Sequence, residues 1–192
     1  MPPPQRADAR RNYERILAVA SEAVAEKGAD ASLDDIAKKA GVGPGTLYRH
    51  FPTRQHLLDA VFHDRIVRLR DEAARLLDEE ADPVAALATW LRAFIKHLQR
   101  YRGLSDALKA IYDHGDQLMI ESRDLLRWSV GELLGRARAA GRVRPDIDAS
   151  DLLRLGHGAG MVCEPDAAGD ARAERFVSLL VDGLTVGSST NP

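Results

Sequence analysis

The stretch that decides the fold is "KKAGVGPGTLYRHF", residues 38–51. Three glycines and a proline fall between two runs with helical apolar spacing. Such backbone freedom has two ready explanations, a phosphate-cradling loop or the tight corner of a DNA-reading helix pair. A phosphate loop needs a strand before the glycines, and a P-loop closes on Gly-Lys-Ser/Thr. Here helical spacing precedes the glycines and "GT" lacks the lysine, so Gly41, Gly43 and Gly45 are a weak dinucleotide signal. The helix-pair reading uses more residues. Ile36, Ala37 and Ala40 give the first helix a small apolar inner face, and Gly41 supplies a positive φ at the corner. Val42 plugs the angle, while Leu47 and Phe51 anchor the second helix. Thr46, Tyr48, Arg49 and His50 are left outward, a polar set suited to phosphates and base edges.

Working outward, Ser32 and Asp35 form a helix-start signal for a short helix over 33–40, and Pro44 suits the first turn of the next. Pro52 stops that helix by Phe51, and Thr53 caps a long fourth helix through Leu57, Leu58, Val61, Phe62, Ile66 and Leu69 to about residue 77. Upstream, Ile16, Leu17, Ala20, Ala23 and Val24 predict a helix from Ala9 to near Gly28, after a mobile polar tail over 1–8. Downstream, "DEEADP" is an acidic corner, followed by an apolar face of Leu87, Trp90, Leu91, Phe94, Ile95 and Leu98. Further helices are expected over 104–112, 118–139, 149–163 and 171–186, before a tail over 188–192. No alternating strand pattern and no internal repeat occurs. The expected fold is all-α, with about nine helices. A three-helix head spans 9–53, its helix-turn-helix at about 33–51, and a helical body over 54–187 is joined through the fourth helix.

Composition sets the outer bounds. Hydrophobic residues at 45% and charged residues at 29% are a globular balance. No apolar run approaches the ~18 residues of a membrane span, and the N-terminus lacks a secretory apolar core. The single cysteine, Cys163, cannot form an internal disulfide, which fits a reducing cytoplasm. The net charge of -2 excludes a polycation, so any nucleic-acid contact must be local. The local field exists: between Ile36 and His56 lie Lys38, Lys39, Arg49 and Arg54, and no acid.

Beyond residue 80, Trp90, Phe94, His97 and Tyr101 share one helical face, and Leu118, Leu125, Trp128 and Val130 come from the next long helix, though not all can face inward. One reading is a cavity for a hydrophobic or aromatic ligand, contacted by Phe62, Trp90, Phe94, His97, Tyr101, Leu125, Trp128 and His157. The other is a plain core with a histidine at its rim. Asp113, His114, Asp116 and Glu121 cluster in sequence, as an alternative metal group to Cys163 with His157, but neither has a ligand spacing. No metal, cofactor or nucleophile motif is expected. Gly156, Gly158 and Gly160 sit in a helical context, either for close helix packing or as a kink.

The run "ASLDDIAKKAGVGPGTLYRHFPTRQHLLDAVF", with the helix before it, resembles the DNA-binding domain of the TetR (tetracycline-repressor-like) regulators. The specific part is "T-L-Y-x-H-F" followed by a polar stretch and "LL"; the likeness covers residues 12–62. The resemblance implies a dimer on a near-palindromic operator, pairing through the last two helices, with a small ligand in the C-terminal domain releasing the DNA. Carried over by position, the expected DNA contacts are Ser32, Pro44, Gly45, Thr46, Tyr48, His50 and Arg54. Lys39 joins them from the acid-free window, and Arg49 occupies a variable slot of the recognition helix. Arg54 stands where the family often has lysine, a different geometry for a phosphate. Two rival readings remain: a helical small-molecule-binding protein with a vestigial DNA head, and an enzyme using Asp113, His114 or His157 as acid or base.

Overall fold

The computed structural model describes residues 4–101 and 117–186. In them lie α1 (Pro4–Lys27), a 3-10 turn (Gly28–Asp30), α2 (Leu33–Lys39), α3 (Pro44–His50), α4 (Arg54–Glu79), α5 (Pro83–Arg100), α6 (Gln117–Ala139), α7 (Ala149–Val162) and α8 (Ala167–Leu184). The fold is all-α. The helix expected over 104–112 and the tail over 188–192 lie outside the described residues. β structure among the described residues is an isolated antiparallel bridge between Val143 and Thr185.

Two helices start earlier than their apolar spacing predicts. α1 begins at Pro4, inside the expected tail. A proline in a first turn gives up no intrahelical bond. Arg11 then pairs with Asp8 and Arg10 with Glu14, at helical separations. α8 begins at Ala167 because the Asp166 side chain accepts from Gly169 N at 2.7 Å. Its first turn, "AAGD", buries too little to register in an apolar pattern.

The chain divides into two compact units, and the division falls inside α4, after Asp64, rather than at its start. The first unit holds residues 4–64, and Tyr101 groups with it. Its core is Ile16, Ala20, Val24, Ile36, Ala37, Leu47, Phe51, Leu57, Leu58 and Val61, all buried. α1 packs on α2, and α2 on α3.

In the second unit α5 is the central element, packed on α6, α7 and α8. Trp90 is wholly buried, stacks on Phe94 with ring centroids 5.3 Å apart, and donates its indole N–H to Leu69 O at 2.8 Å. α7 runs unbroken through its three glycines. Two of them face α5: a Cβ at Gly156 would meet the Phe94 ring at 3.0 Å, and one at Gly160 would meet Leu98 Cβ at 2.7 Å. Close packing, rather than a kink, is what these glycines permit.

Candidate nucleic-acid interface

The corner between α2 and α3 is built by local backbone chemistry. Ser32 opens α2 by accepting from Asp35 N at 3.2 Å. Gly41 turns the chain at φ 65°, a conformation that favours glycine. Val42 N then bonds back to Ala37 O at 3.0 Å, closing α2. Gly43 caps α3 and Pro44 fills its first turn. Leu47 and Phe51 are buried beneath, as their spacing predicts, whereas the plug residue Val42 is only half-buried.

This frame presents Lys38, Lys39, Pro44, Gly45, Tyr48 and Arg49 to solvent, with Tyr48 46% exposed. Gly43 and Gly45 lack any neighbour within 4 Å of a Cβ position, so bare backbone lies at the start of α3. Thr46 is half-buried. His50 is also half-buried, its ring edge-on to Tyr13 at 6.0 Å, and Tyr13 in turn stacks on Phe51 at 5.0 Å. Arg54 lies on the surface, but its Nη1 donates to Ala29 O at 2.8 Å and Ala31 O at 2.6 Å. Part of that guanidinium therefore holds the turn between α1 and α2. Thr53 caps α4, accepting from His56 N at 3.3 Å.

Tyr13 escaped the sequence reading. It sits one helical turn before Leu17, a spacing that marks it as face-sharing without revealing its aromatic partners on α3. Burial, and secondarily the Asp64 carboxylate, raises its pKa, so the hydroxyl keeps its proton.

The expected ligand contacts divide differently from their sequence grouping. Trp90 and Phe94 are core residues. His97 is buried too, and burial, reinforced by the charge of Arg65, lowers its pKa to about 4, so it is neutral at pH 7. Leu125 and His157 are half-buried. Phe62 is half-buried and Tyr101 buried, and both belong to the first unit. Trp128 departs from an inward placement: it is 43% exposed. The buried face of α6 runs through Ser122, Ser129, Val130, Leu133, Leu134 and Ala137, and Trp128 falls off that stripe.

Of the residues weighed for a metal, Asp113, His114 and Asp116 lie outside the described residues. Among those described, no group of three or more His, Cys, Asp or Glu side chains is arranged to hold a metal ion. No described helix is long and apolar enough to cross a membrane. A second exposed feature lies on α7 and α8, where Leu155, Val162 and Leu179 are 48%, 56% and 59% exposed and line an open groove together with Gly158 and Ala159.

Comparison with known proteins agrees with this division of labour. Residues 16–61 match the profile of the tetR family of bacterial regulatory proteins, and residues 82–186 match that of the SbtR-like transcriptional regulator C-terminal domain. A crystal structure of a TetR transcriptional regulator from Streptomyces coelicolor is 38% identical, covering 92% of this chain and 99% of that one, with a TM-score of 0.79. The HTH-type transcriptional regulator YvdT of Bacillus subtilis is 38% identical over 71 residues; the chain spans 37% of that protein's length, with 36% of its own. The HTH-type transcriptional repressor KstR2 of Mycolicibacterium smegmatis is 25% identical over 148 residues, 74% of this chain and 72% of that one.

Proposed function

The chain belongs to the tetR family of bacterial regulatory proteins and is a DNA-binding transcriptional regulator, and from that premise we propose that it is a homodimeric repressor released from its operator by a small molecule. The observation that carries the DNA half is the outward row on α3. Tyr48 and Arg49 stand exposed beside Lys38 and Lys39 within a window free of acids. α3 enters the major groove. Arg49 and Thr46 read base edges there, Arg49 by a bidentate bond of the kind guanine offers. Tyr48, His50, Lys39, Ser32 and the unengaged part of Arg54 hold phosphates, and Pro44 and Gly45 let the backbone come close.

Dimerisation through α7 and α8 is supported by the apolar side chains that a single protomer leaves exposed there. A twofold axis through that face sets two α3 helices on successive major grooves, hence a near-palindromic site. The effector belongs in the body, with His97, Leu125 and His157 as its candidate contacts and an apolar molecule bearing a polar group as its class. The repressor relative KstR2 supports the sign of regulation. The family is one of regulators rather than enzymes, and no catalytic role is assigned to this chain. A protein acting on operator DNA works in the cytoplasm.

The test is selection of bound sequences from a random duplex pool, repeated at two salt concentrations. A two-half-site consensus, with affinity that falls as salt rises, is expected. Failure to enrich any sequence would sink the reading.

A further inference from the structure

His50 is the last residue of α3, half-buried and next to the buried cap residue Phe51. Among the described residues its ring nitrogens have no hydrogen-bond partner. His56, on the next helix, differs: its Nδ1 lies 2.7 Å from Thr53 Oγ1. What holds the His50 ring is aromatic contact. Tyr13 of α1 lies against it with ring centroids 6.0 Å apart and planes at 69°, the T-shaped arrangement that aromatic pairs favour. Phe51 meets the same imidazole at 6.4 Å and 50°. Tyr13 is in turn stacked on Phe51 at 5.0 Å, and Phe51 is 2% exposed. The buried ring thus fixes the tyrosine, and the tyrosine walls the imidazole. All three residues belong to the first unit.

We infer that Tyr13 is a positioning residue for DNA binding: its ring, stacked on Phe51, fixes the His50 imidazole, so that the unpaired nitrogens are already oriented when a phosphate arrives. This rests on the regulator reading above. A loose imidazole would lose rotamer freedom on binding, and ordering such a side chain costs roughly two- to tenfold in affinity. Tyr13 removes that cost before the DNA arrives. A residue of α1 thereby acts on recognition through α3. The working group is the ring rather than the hydroxyl. Burial first, and the charge of Asp64 second, raise the Tyr13 pKa, so a carboxylate stands near that hydroxyl. A carboxylate there repels phosphate, which makes the hydroxyl a poor DNA ligand. Phenylalanine would therefore serve at this position, whereas an aliphatic side chain would not.

Two measurements on the full chain test this. The first is affinity for a duplex recovered by the pool selection. Y13F keeps the ring and should bind as the native chain does. Y13L keeps apolar bulk without the ring and should bind roughly two- to tenfold more weakly. On an H50A background Y13L should weaken binding no further, because its effect passes through His50. Three results overturn the inference: no loss in Y13L, a loss in Y13F as large as in Y13L, or an undiminished Y13L loss on the H50A background. The last would mark a general disturbance of α3. The second measurement is NMR of the six histidines, labelled with 13C, with His50 assigned by its absence in H50A. The His50 ring signals should move in Y13L, where the Tyr13 ring current is lost, and stay in place in Y13F. Unmoved signals in Y13L also overturn the inference. Should Y13L fail to fold, Y13M takes its place, since methionine fills an irregular gap. A native chain that selects no duplex refutes the regulator reading alone, because the ring signals still decide whether Tyr13 holds His50.

Discussion

Replacing Gly160 by alanine should destabilise the protein, although alanine is the better helix former. The added Cβ would lie 2.7 Å from Leu98 Cβ, 3.1 Å from Leu98 Cδ1 and 3.4 Å from the Ile95 carbonyl oxygen. A Cβ cannot rotate out of the way, so α7 or α5 must move. Overpacking of this sort costs about 1–3 kcal/mol. The propensity gain of alanine over glycine offsets about 0.8–1 kcal/mol. Gly135→Ala is the matched comparison. Gly135 is exposed just before the last turn of α6 with nothing within 4 Å of its Cβ position, so it takes the propensity gain without the clash. The propensity gain is common to both, so the two variants should differ by the overpacking cost of roughly 1–3 kcal/mol, or about 2–12 °C in melting temperature for a chain of this size. Gly156→Ala falls between them, because the atoms met there, 3.0 Å and 3.1 Å away, belong to the Phe94 ring, which can shift. Thermal and urea unfolding at one fixed protein concentration gives the ordering, since dimerisation would make stability concentration-dependent. If Gly160→Ala and Gly135→Ala move stability in the same direction by similar amounts, the close α5–α7 approach is wrong.

Four further outcomes are expected. Arg49→Ala should flatten sequence preference at one or two operator positions, about 1–3 kcal/mol of discrimination, when the pool selection is repeated. Tyr48→Phe should weaken binding to every duplex alike, and an altered consensus would move Tyr48 from phosphates to bases. Leu179→Asp, on the exposed apolar face of α8, should give monomers by sedimentation while leaving helicity intact. His97 is buried neutral, with its pKa lowered to about 4 from 6.5. Between those values the unfolded chain binds a proton that the folded chain refuses, so stability is full above pH 6.5 and falls as pH drops toward 4. The loss has an upper bound of roughly 3 kcal/mol, and His97→Gln should remove that part of the slope in pH-dependent unfolding.

The head was legible because its determinants are local. Ser32 before Asp35, Gly41 at the corner, Pro44 in a first turn and Thr53 before α4 each act within a few residues, and each takes its expected place. His50 and Arg54 show where local reading stops. Apolar spacing leaves His50 outward and the family resemblance makes Arg54 a DNA contact, yet His50 lies against Tyr13 on α1, and Arg54 bonds to carbonyls 23 and 25 residues away. The body was less legible because a helical stripe names a face without naming its partner. Trp90 and Trp128 look alike in sequence, but one is wholly buried with its N–H bonded and the other is 43% exposed. The difference lies in which stripe of each helix its neighbours cover, a long-range property.

Arg136 marks the extreme of that limit, and its chemistry explains why. From α6 it donates through Nη1 to Leu76 O and Leu77 O and through Nη2 to Glu80 O and Ala81 O, four acceptors 55 to 60 residues away in the chain. They are also main-chain carbonyls, which every residue type presents. Changing Leu77 or Glu80 to another side chain leaves an acceptor in place, so the acceptor side of the contact has no sequence signature at all. The donor side is the reverse, because arginine alone offers a rigid fork of five N–H groups. One side chain therefore carries the whole specificity of the contact. The surface of α4's last turns is free to vary for other reasons, such as the acidic run "DEEAD", which faces the dipole the wrong way without Arg136.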